Sequence, residues 1–232
     1  MLNDKGKDSI YVVWKEPIER RQFVVGEICR NGKYEFRYGH EVDNAIKKGF
    51  NLFISFKNKE RIYYNESLFP TFSSRLPNEK RDDIKDILKK YDLEEYNEYE
   101  LLKRSGAKLP IDNLVFIDPL PNKYEGDEER YFYIAGVRHY IGCEEGKYCE
   151  KSLDVEKDEL LEIARDKNNE MDSYALQVFN NKKQLLGYIP RYYSKELGNL
   201  ISEGVKYTLK VHFVNKKHTC NECIKVKLSL YK

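Results

Sequence analysis

The sequence predicts an α+β protein of two domains. Three observations carry this. Short runs rich in Val, Ile, Tyr and Phe, bounded by Gly, Pro and Asn, recur in both halves of the 232 residues and read as strands. Between them lie segments whose apolar residues fall at i, i+3, i+4 and i+7, the helical period. Residues 121–130, PNKYEGDEER, are polar, acidic and contain Gly, which marks a linker. The expected division is a domain over 1–120, a linker over 121–130 and a domain over 131–232.

In the first half IYVVW, QFVVGEIC and KYEFRYG read as strands separated by Pro17 and by Asn31-Gly32. Asn31-Gly32 predicts a two-residue type I′ hairpin, in which both central residues take positive φ. Val42 to Gly49 suggests a short helix with Gly49 just past its end. NLFISF and RIYYN read as further strands. In RDDIKDILKKY, Ile84, Ile87, Leu88 and Tyr91 share one helical face, with acids at the start and lysines at the end as the helix dipole favours. Asn97 with Glu100 resembles a capping box, and Gly106 sits where that helix would stop. DNLVFIDPLP returns to an extended run.

The second half opens with the strand YFYIAGV. ELLEIARD reads as a short helix or turn, and YALQVFNNKKQLLGYI as a hairpin with Asn180 to Lys183 at its tip. Ser194 is the expected cap of a helix whose apolar face is Leu197, Leu200 and Ile201 and which ends at Gly204. Two strands close the chain. In the last, Ile224, Val226, Leu228 and Leu230 alternate with Lys225, Lys227 and Ser229, so one face is buried and the other cationic.

Composition excludes disorder, because 13% of the residues are aromatic, the class a disordered chain lacks. Net charge is only +2, yet its distribution is uneven. Residues 121–172 hold 8 Lys/Arg against 15 Asp/Glu, and residues 173–232 hold 11 against 3, so the second half can present a basic face despite a neutral total. The polar start MLNDKGKDS is unlike a signal peptide, and no apolar run approaches the roughly 20 residues that span a bilayer. The expectation is a soluble, cytoplasmic protein without a membrane partner. Phosphate-binding loops, nucleophile elbows, HExxH and kinase signatures are all missing, and the four His are scattered. The expectation is therefore no enzyme and no catalytic residue.

Three elements stand out between Gly136 and Arg191. GVRHYIG places Arg, His and Tyr together after a strand, DKNNEMDSYALQVF is a polar loop ending in Asp172, and LGYIP leads to Arg191. This ordered set resembles the HIRAN domain over about residues 130–232. The resemblance implies an OB-like or SH3-like β-barrel with one or two helices that binds single-stranded DNA at its 3′-hydroxyl end. By match to the motif, Arg138, His139 and Tyr140 stack bases and hold phosphate, Asn169 and Asp172 belong to the end-recognising loop, and Tyr188 and Arg191 add an aromatic and a cation. Stacked bases contribute roughly 1–3 kcal/mol each, and a carboxylate accepts from a free hydroxyl while repelling a phosphate. His139 stands where the family often has an aromatic, and Met171 where it has Tyr. Read singly, Tyr140 and Tyr188 are equally half-buried strand aromatics, and Asp172 a turn residue.

Cys220 and Cys223 form a CxxC beside His218, and with Cys143 they are a candidate zinc set; free thiols are the alternative.

In the first half, LFPTFSSRLPNEKR followed by LLKRSGAKLPIDNLVF resembles the N-terminal subdomain of HipA-type serine/threonine kinases. In some toxin–antitoxin systems a free-standing, HipS-like copy of this subdomain restrains a separate kinase. The resemblance implies a β-rich domain with helices that docks a HipA-like kinase, with a helix-turn-helix repressor of the HipB type as a further partner. Phe69, Phe72, Arg75, Leu76, Pro77 and Arg81 would then lie on or near the kinase-facing part, unless the apolar three are core. The expected function is an adaptor joining the two activities. The alternative is an antitoxin that binds only protein.

Overall fold

The computed structural model describes residues 8–140, 154–170, 172–215 and 223–232. The chain folds into two compact units, Met1–Pro119 and Leu120–Lys232, both mixing strands and helices. Among the described residues no helix is long and apolar enough to cross a membrane.

The first unit is a five-stranded antiparallel sheet in the order β4-β3-β2-β1-β5. Its strands are β1 (Asp8–Lys15), β2 (Gln22–Asn31), β3 (Lys33–Tyr38), β4 (Tyr63–Asn65) and β5 (Leu114–Ile117). Its helices are α1 (Val42–Lys47), α2 (Pro70–Ser73), α3 (Ile84–Lys90) and α4 (Glu98–Ser105). Register places Ile10, Ile28, Phe36 and Tyr63 opposite one another across four strands, hence on one face. Phe36 stacks on Phe56 at 4.4 Å and meets Phe72 of α2 at 5.3 Å, and Phe72 meets Phe116 of β5 at 5.6 Å. Each such pair adds about 0.5–1.5 kcal/mol beyond burial. Tyr99 and Leu102 of α4 join the same cluster.

Three local expectations fail here for identifiable reasons. NLFISF is not a strand: the Phe53 N–H donates to the Tyr38 hydroxyl and that hydroxyl donates to the Phe56 carbonyl, at 2.9 and 2.8 Å. One half-buried side chain thus takes the place of a ladder, and Phe50, Phe53 and Phe56 pack into or against the core at a spacing of three. The β2–β3 turn is not type I′, because only Gly32 of the pair has positive φ (73°) and Asn31 pairs with Lys33. The capping box is half made: Asn97 Oδ1 accepts the Glu100 N–H at 3.0 Å, while the Glu100 carboxylate turns to Arg30 at 2.6 Å.

The second unit is a six-stranded antiparallel sheet in the order β6-β11-β10-β7-β8-β9. The strands are β6 (Glu128–Tyr133), β7 (Leu160–Arg165), β8 (Leu176–Phe179), β9 (Leu185–Tyr188), β10 (Lys206–Val214) and β11 (Ile224–Tyr231), with helices α5 (Val137–Tyr140) and α6 (Arg191–Ser202). Strand β6 starts inside the segment read as linker, since Glu128, Glu129 and Arg130 pair with Leu230, Ser229 and Leu228. The two outer strands meet: Ala135, just past β6, exchanges both backbone hydrogen bonds with Tyr188 at 2.8 and 2.9 Å. This seam, one isolated bridge, curls the sheet into a partly closed barrel. Gly187 makes the seam possible, because a Cβ there would lie 2.3 Å from the Ala135 carbonyl oxygen.

ELLEIARD is strand β7, not a helix or turn. Ile163 pairs with Val178 and Leu161 with Leu209, so barrel pairing overrides the helical preference of Leu, Glu and Ala. The helix expected to start at Ser194 starts at Arg191 behind Pro190, leaving Ser194 buried within its first turns. Tyr193, Leu197 and Leu200 of α6 are buried.

Candidate nucleic-acid interface

The seam organises the surface that bears the sequence-derived residues. Past Ile134 and Ala135 the chain turns at Gly136 (φ 74°) into α5, which carries Arg138, His139 and Tyr140. A non-glycine residue in that conformation would cost about 1–2 kcal/mol. The turn brings the Tyr140 ring to 5.8 Å from that of Tyr188, at an interplanar angle of 54°. Burial, a hydrogen bond with the Tyr188 hydroxyl and the charge of Asp166 push the Tyr140 phenol up to about 12.

From this pair a chain of hydrogen bonds runs through the polar loop. The Tyr188 hydroxyl donates to Asp166 Oδ2 at 2.9 Å, and Asn169 Nδ2 donates to the same oxygen at 3.3 Å. Asn169 Oδ1 accepts the Asp172 N–H at 3.0 Å. Asp172 Oδ1 accepts the Tyr174 N–H, and Asp172 Oδ2 lies 2.9 Å from Ser194 Oγ on α6. Ser194 Oγ is also 3.0 Å from the Arg191 carbonyl, and its one hydrogen serves one of the two at a time. The Tyr188 hydrogen bond, helped by the Asn168 N–H, holds the Asp166 carboxyl below its usual range. Asp166 is therefore a fixed negative charge at neutral pH.

The structure thus brings Tyr140, Tyr188, Asn169 and Asp172 into one connected network. Arg138 and His139 lie on the same turn as Tyr140, with Arg138 Nε 3.2 Å from His139 Nε2, and Arg191 opens the helix that carries Ser194. Met171 lies outside the described residues. Sequence reasoning missed Asp166, the acid that touches the aromatic pair. Its one legible signal was an Asp two residues before Asn168, the spacing of an Asx turn, which it forms at 3.2 Å. It also missed Tyr174, whose ring is 40% exposed between the Arg165 guanidinium at 5.9 Å and the Lys195 ammonium at 5.8 Å.

The residues assigned to kinase docking are placed differently. Phe69 and Phe72 are buried in the aromatic core and offer a partner no surface, which corrects that assignment. Arg75 is interior as well: its guanidinium forks onto Asp112, donates to the Ala107 carbonyl at 3.0 and 3.1 Å, and lies over the Phe116 ring. Leu76 and Pro77 are half-buried, and the Pro77 carbonyl accepts from Tyr96 at 2.8 Å. Arg81 is exposed and forks onto Asp83 at 2.8 Å.

Of the candidate zinc set, Cys143, His218 and Cys220 lie outside the described residues, and Cys223 is buried. Among the described residues no cluster of His, Cys, Asp and Glu could hold a metal ion.

Comparison with known families agrees with both resemblances. Residues 128–231 match the HIRAN domain, and residues 20–110 match the HipA N-terminal domain. No curated protein matches the chain. Among solved structures it is similar to the HIRAN domain of human HLTF, at 17% identity over 46% of this chain and 81% of that one, with a TM-score of 0.35. A protein from Lactobacillus plantarum is similar at 17% identity over 45% of this chain and 97% of its own, with a TM-score of 0.33.

Proposed function

We propose that this chain is a non-enzymatic adaptor: its barrel binds single-stranded DNA at a 3′-hydroxyl end, and its N-terminal unit associates with a HipA-type kinase. The HIRAN match points to DNA binding, and the HipA N-terminal match points to HipA-type association. One observation supports the end-binding reading most. Two tyrosines at the barrel seam are wired through Asp166 and Asn169 to Asp172, so an exposed stacking surface and a pair of carboxylates belong to one rigid feature.

In this reading a terminal base stacks on Tyr140, and Arg138 or Arg191 meets the preceding phosphate. The terminal hydroxyl donates to a carboxylate oxygen of Asp172, each of which has a lone pair left after its internal bond. A 3′-phosphate in that place is repelled. At about 4 Å two like charges cost about 1 kcal/mol in bulk water and about 4 at a protein surface, which makes about five-fold discrimination the floor. Fluorescence anisotropy with a short oligonucleotide ending in 3′-hydroxyl or 3′-phosphate, across a salt series, tests this. Tight binding of the hydroxyl end alone is expected, and equal affinities would remove end recognition.

The second reading, an antitoxin whose barrel serves only assembly, is favoured by the internal bonds that already occupy Asp172. Negligible binding of either oligonucleotide would support it. For the kinase, a HipA-like gene and a helix-turn-helix repressor gene beside this one would support association. Their consistent absence would count against it. Arg81, with the half-buried Leu76 and Pro77, remains the accessible part of the motif.

A further inference from the structure

The outer face of β6, β11 and β10 carries an arrangement that the end-binding network does not use. Along β6, Phe132 and Ile134 point inward, so Tyr131 and Tyr133 face outward. Lys225 and Lys227 of β11 stand opposite them, each ammonium 5.8 Å from the centre of its tyrosine ring. On β10 the register shifts between Val211 and Phe213, which leaves both His212 and Phe213 outside. Phe213 stands opposite Lys225, and the His212 ring is 5.0 Å from Tyr131. Tyr131 is 47% exposed and Phe213 49%, large values for rings on a sheet.

The result is a row of Tyr133, Lys225 and Phe213 across three strands, beside a second row led by Tyr131 and Lys227. Flat rings alternating with cations on an open sheet suit one ligand class. Bases stack on the rings without regard to sequence, and phosphates exchange places with the acid that now pairs with Lys227, Glu129 at 2.6 Å. A protein partner would leave the lysines to be desolvated, which interface centres avoid.

The face is also continuous with the seam. Tyr131, Tyr133 and Ala135 share one side of the strand, and Ala135 pairs directly with Tyr188. From Tyr131 to that pair is four residues, about 13 Å at strand spacing. We infer that the outer face of β6, β11 and β10 carries the body of a single DNA strand whose 3′ end sits at the Tyr140–Tyr188 pair. This rests on the end-binding reading for the position of the terminus.

The test uses the full chain and two oligothymidylates with 3′-hydroxyl ends, one of about 3 nucleotides and one of about 12, within the range a single barrel of this kind covers. The native protein should bind the longer probe at least about ten-fold tighter. The double variant Lys225→Ala, Lys227→Ala should abolish that advantage and flatten the salt dependence of the longer probe by about 1.4 log units per log unit, at about 0.7 for each phosphate. Tyr131→Ala should weaken the longer probe by at least about five-fold, the lower end for one stacked base. The shorter probe should bind all of them equally, which also shows that the variants fold. A native protein without a length advantage overturns the inference, as do variants that keep the advantage or lose both probes alike. Failure of the end reading looks different: hydroxyl and phosphate ends of the shorter probe then bind equally, whatever the lysines do.

Discussion

The two units use the same residue types in opposite ways. In the first, Phe36, Phe56, Phe69, Phe72 and Phe116 are buried against one another, and Arg75 is buried with them. In the second, Tyr131, Tyr140, Tyr174 and Phe213 are exposed, three of them beside a cation or a second ring. The cause is topology. The first sheet is covered by α2, α4 and the 50–56 loop, so rings on that face have nowhere else to go. The barrel fills its interior mostly with Val, Leu and Ile, with Phe132 and Tyr193 the main buried rings among the described residues, so most of its other aromatic residues are left partly or largely exposed. An aromatic-rich motif therefore marks a core in one unit and a surface in the other, and only burial tells which.

The largest expected effect breaks the first half of this contrast. Phe72→Ala removes a fully buried ring that touches Phe36, Phe53, Phe56, Phe69 and Phe116. Truncating such a ring costs about 3–5 kcal/mol. Chemical denaturation should show that loss in the first unit, with oligonucleotide binding by the second unchanged. A cost below about 1 kcal/mol would mean that Phe72 is available to a partner after all.

Gly187→Ala probes the barrel instead. The added methyl meets the Ala135 carbonyl oxygen at 2.3 Å, so the seam must open or shift. Overpacking of this kind costs about 1–3 kcal/mol. Because Tyr188 follows directly, oligonucleotide affinity should fall together with stability. Retained affinity would show that the seam does not position the tyrosines.

Arg75→Met sharpens the contrast between a cation used for structure and one used for binding. It removes the Arg75 donors from the Ala107 carbonyl and leaves Asp112 with the Leu114 N–H. The expected loss is about 2 kcal/mol, below that for a fully buried pair because the Asp112 side chain is 32% exposed. The hydrogen bond from Arg75 lowers the Asp112 carboxyl from its ordinary value. A depressed carboxyl contributes stability at pH values above its unfolded range and loses it as pH falls through the folded value. Native stability should therefore decline on acidification below about pH 4, and part of that decline should vanish in Arg75→Met. Identical acid profiles would dismiss the pair as a source of stability.

The same contrast explains what the sequence could and could not reveal. Periodicity exposes strand β11, because its alternation answers to one buried face. The Asn97 cap and the Gly106 stop are legible because they are local. Strand β7 was hidden, since the partners that hold it, Val178 and Leu209, are distant in sequence. NLFISF was hidden by one hydroxyl, that of Tyr38. The site was legible as an ordered set of residue types. Which acid meets the tyrosines was not, because that depends on how the seam aligns Tyr188 with the loop after β7.

That ambiguity sets the smallest and most discriminating prediction. Asp172→Asn keeps most of the shape and the acceptor for the Tyr174 N–H while removing one charge. If Asp172 meets the terminus, its loss should raise affinity for a 3′-phosphate and narrow the preference for hydroxyl about ten-fold, roughly 1.4 kcal/mol. Asp166→Asn removes the other charge but also the strong acceptor of the Tyr188 hydroxyl. It should instead weaken both ends, because the tyrosine pair loses its anchor while the terminal carboxylate remains. Anisotropy on the two variants separates the roles. The reverse pattern, with Asp166→Asn narrowing the preference and Asp172→Asn weakening both ends, would assign the terminus to Asp166 and make Asp172 the anchor of the loop on α6.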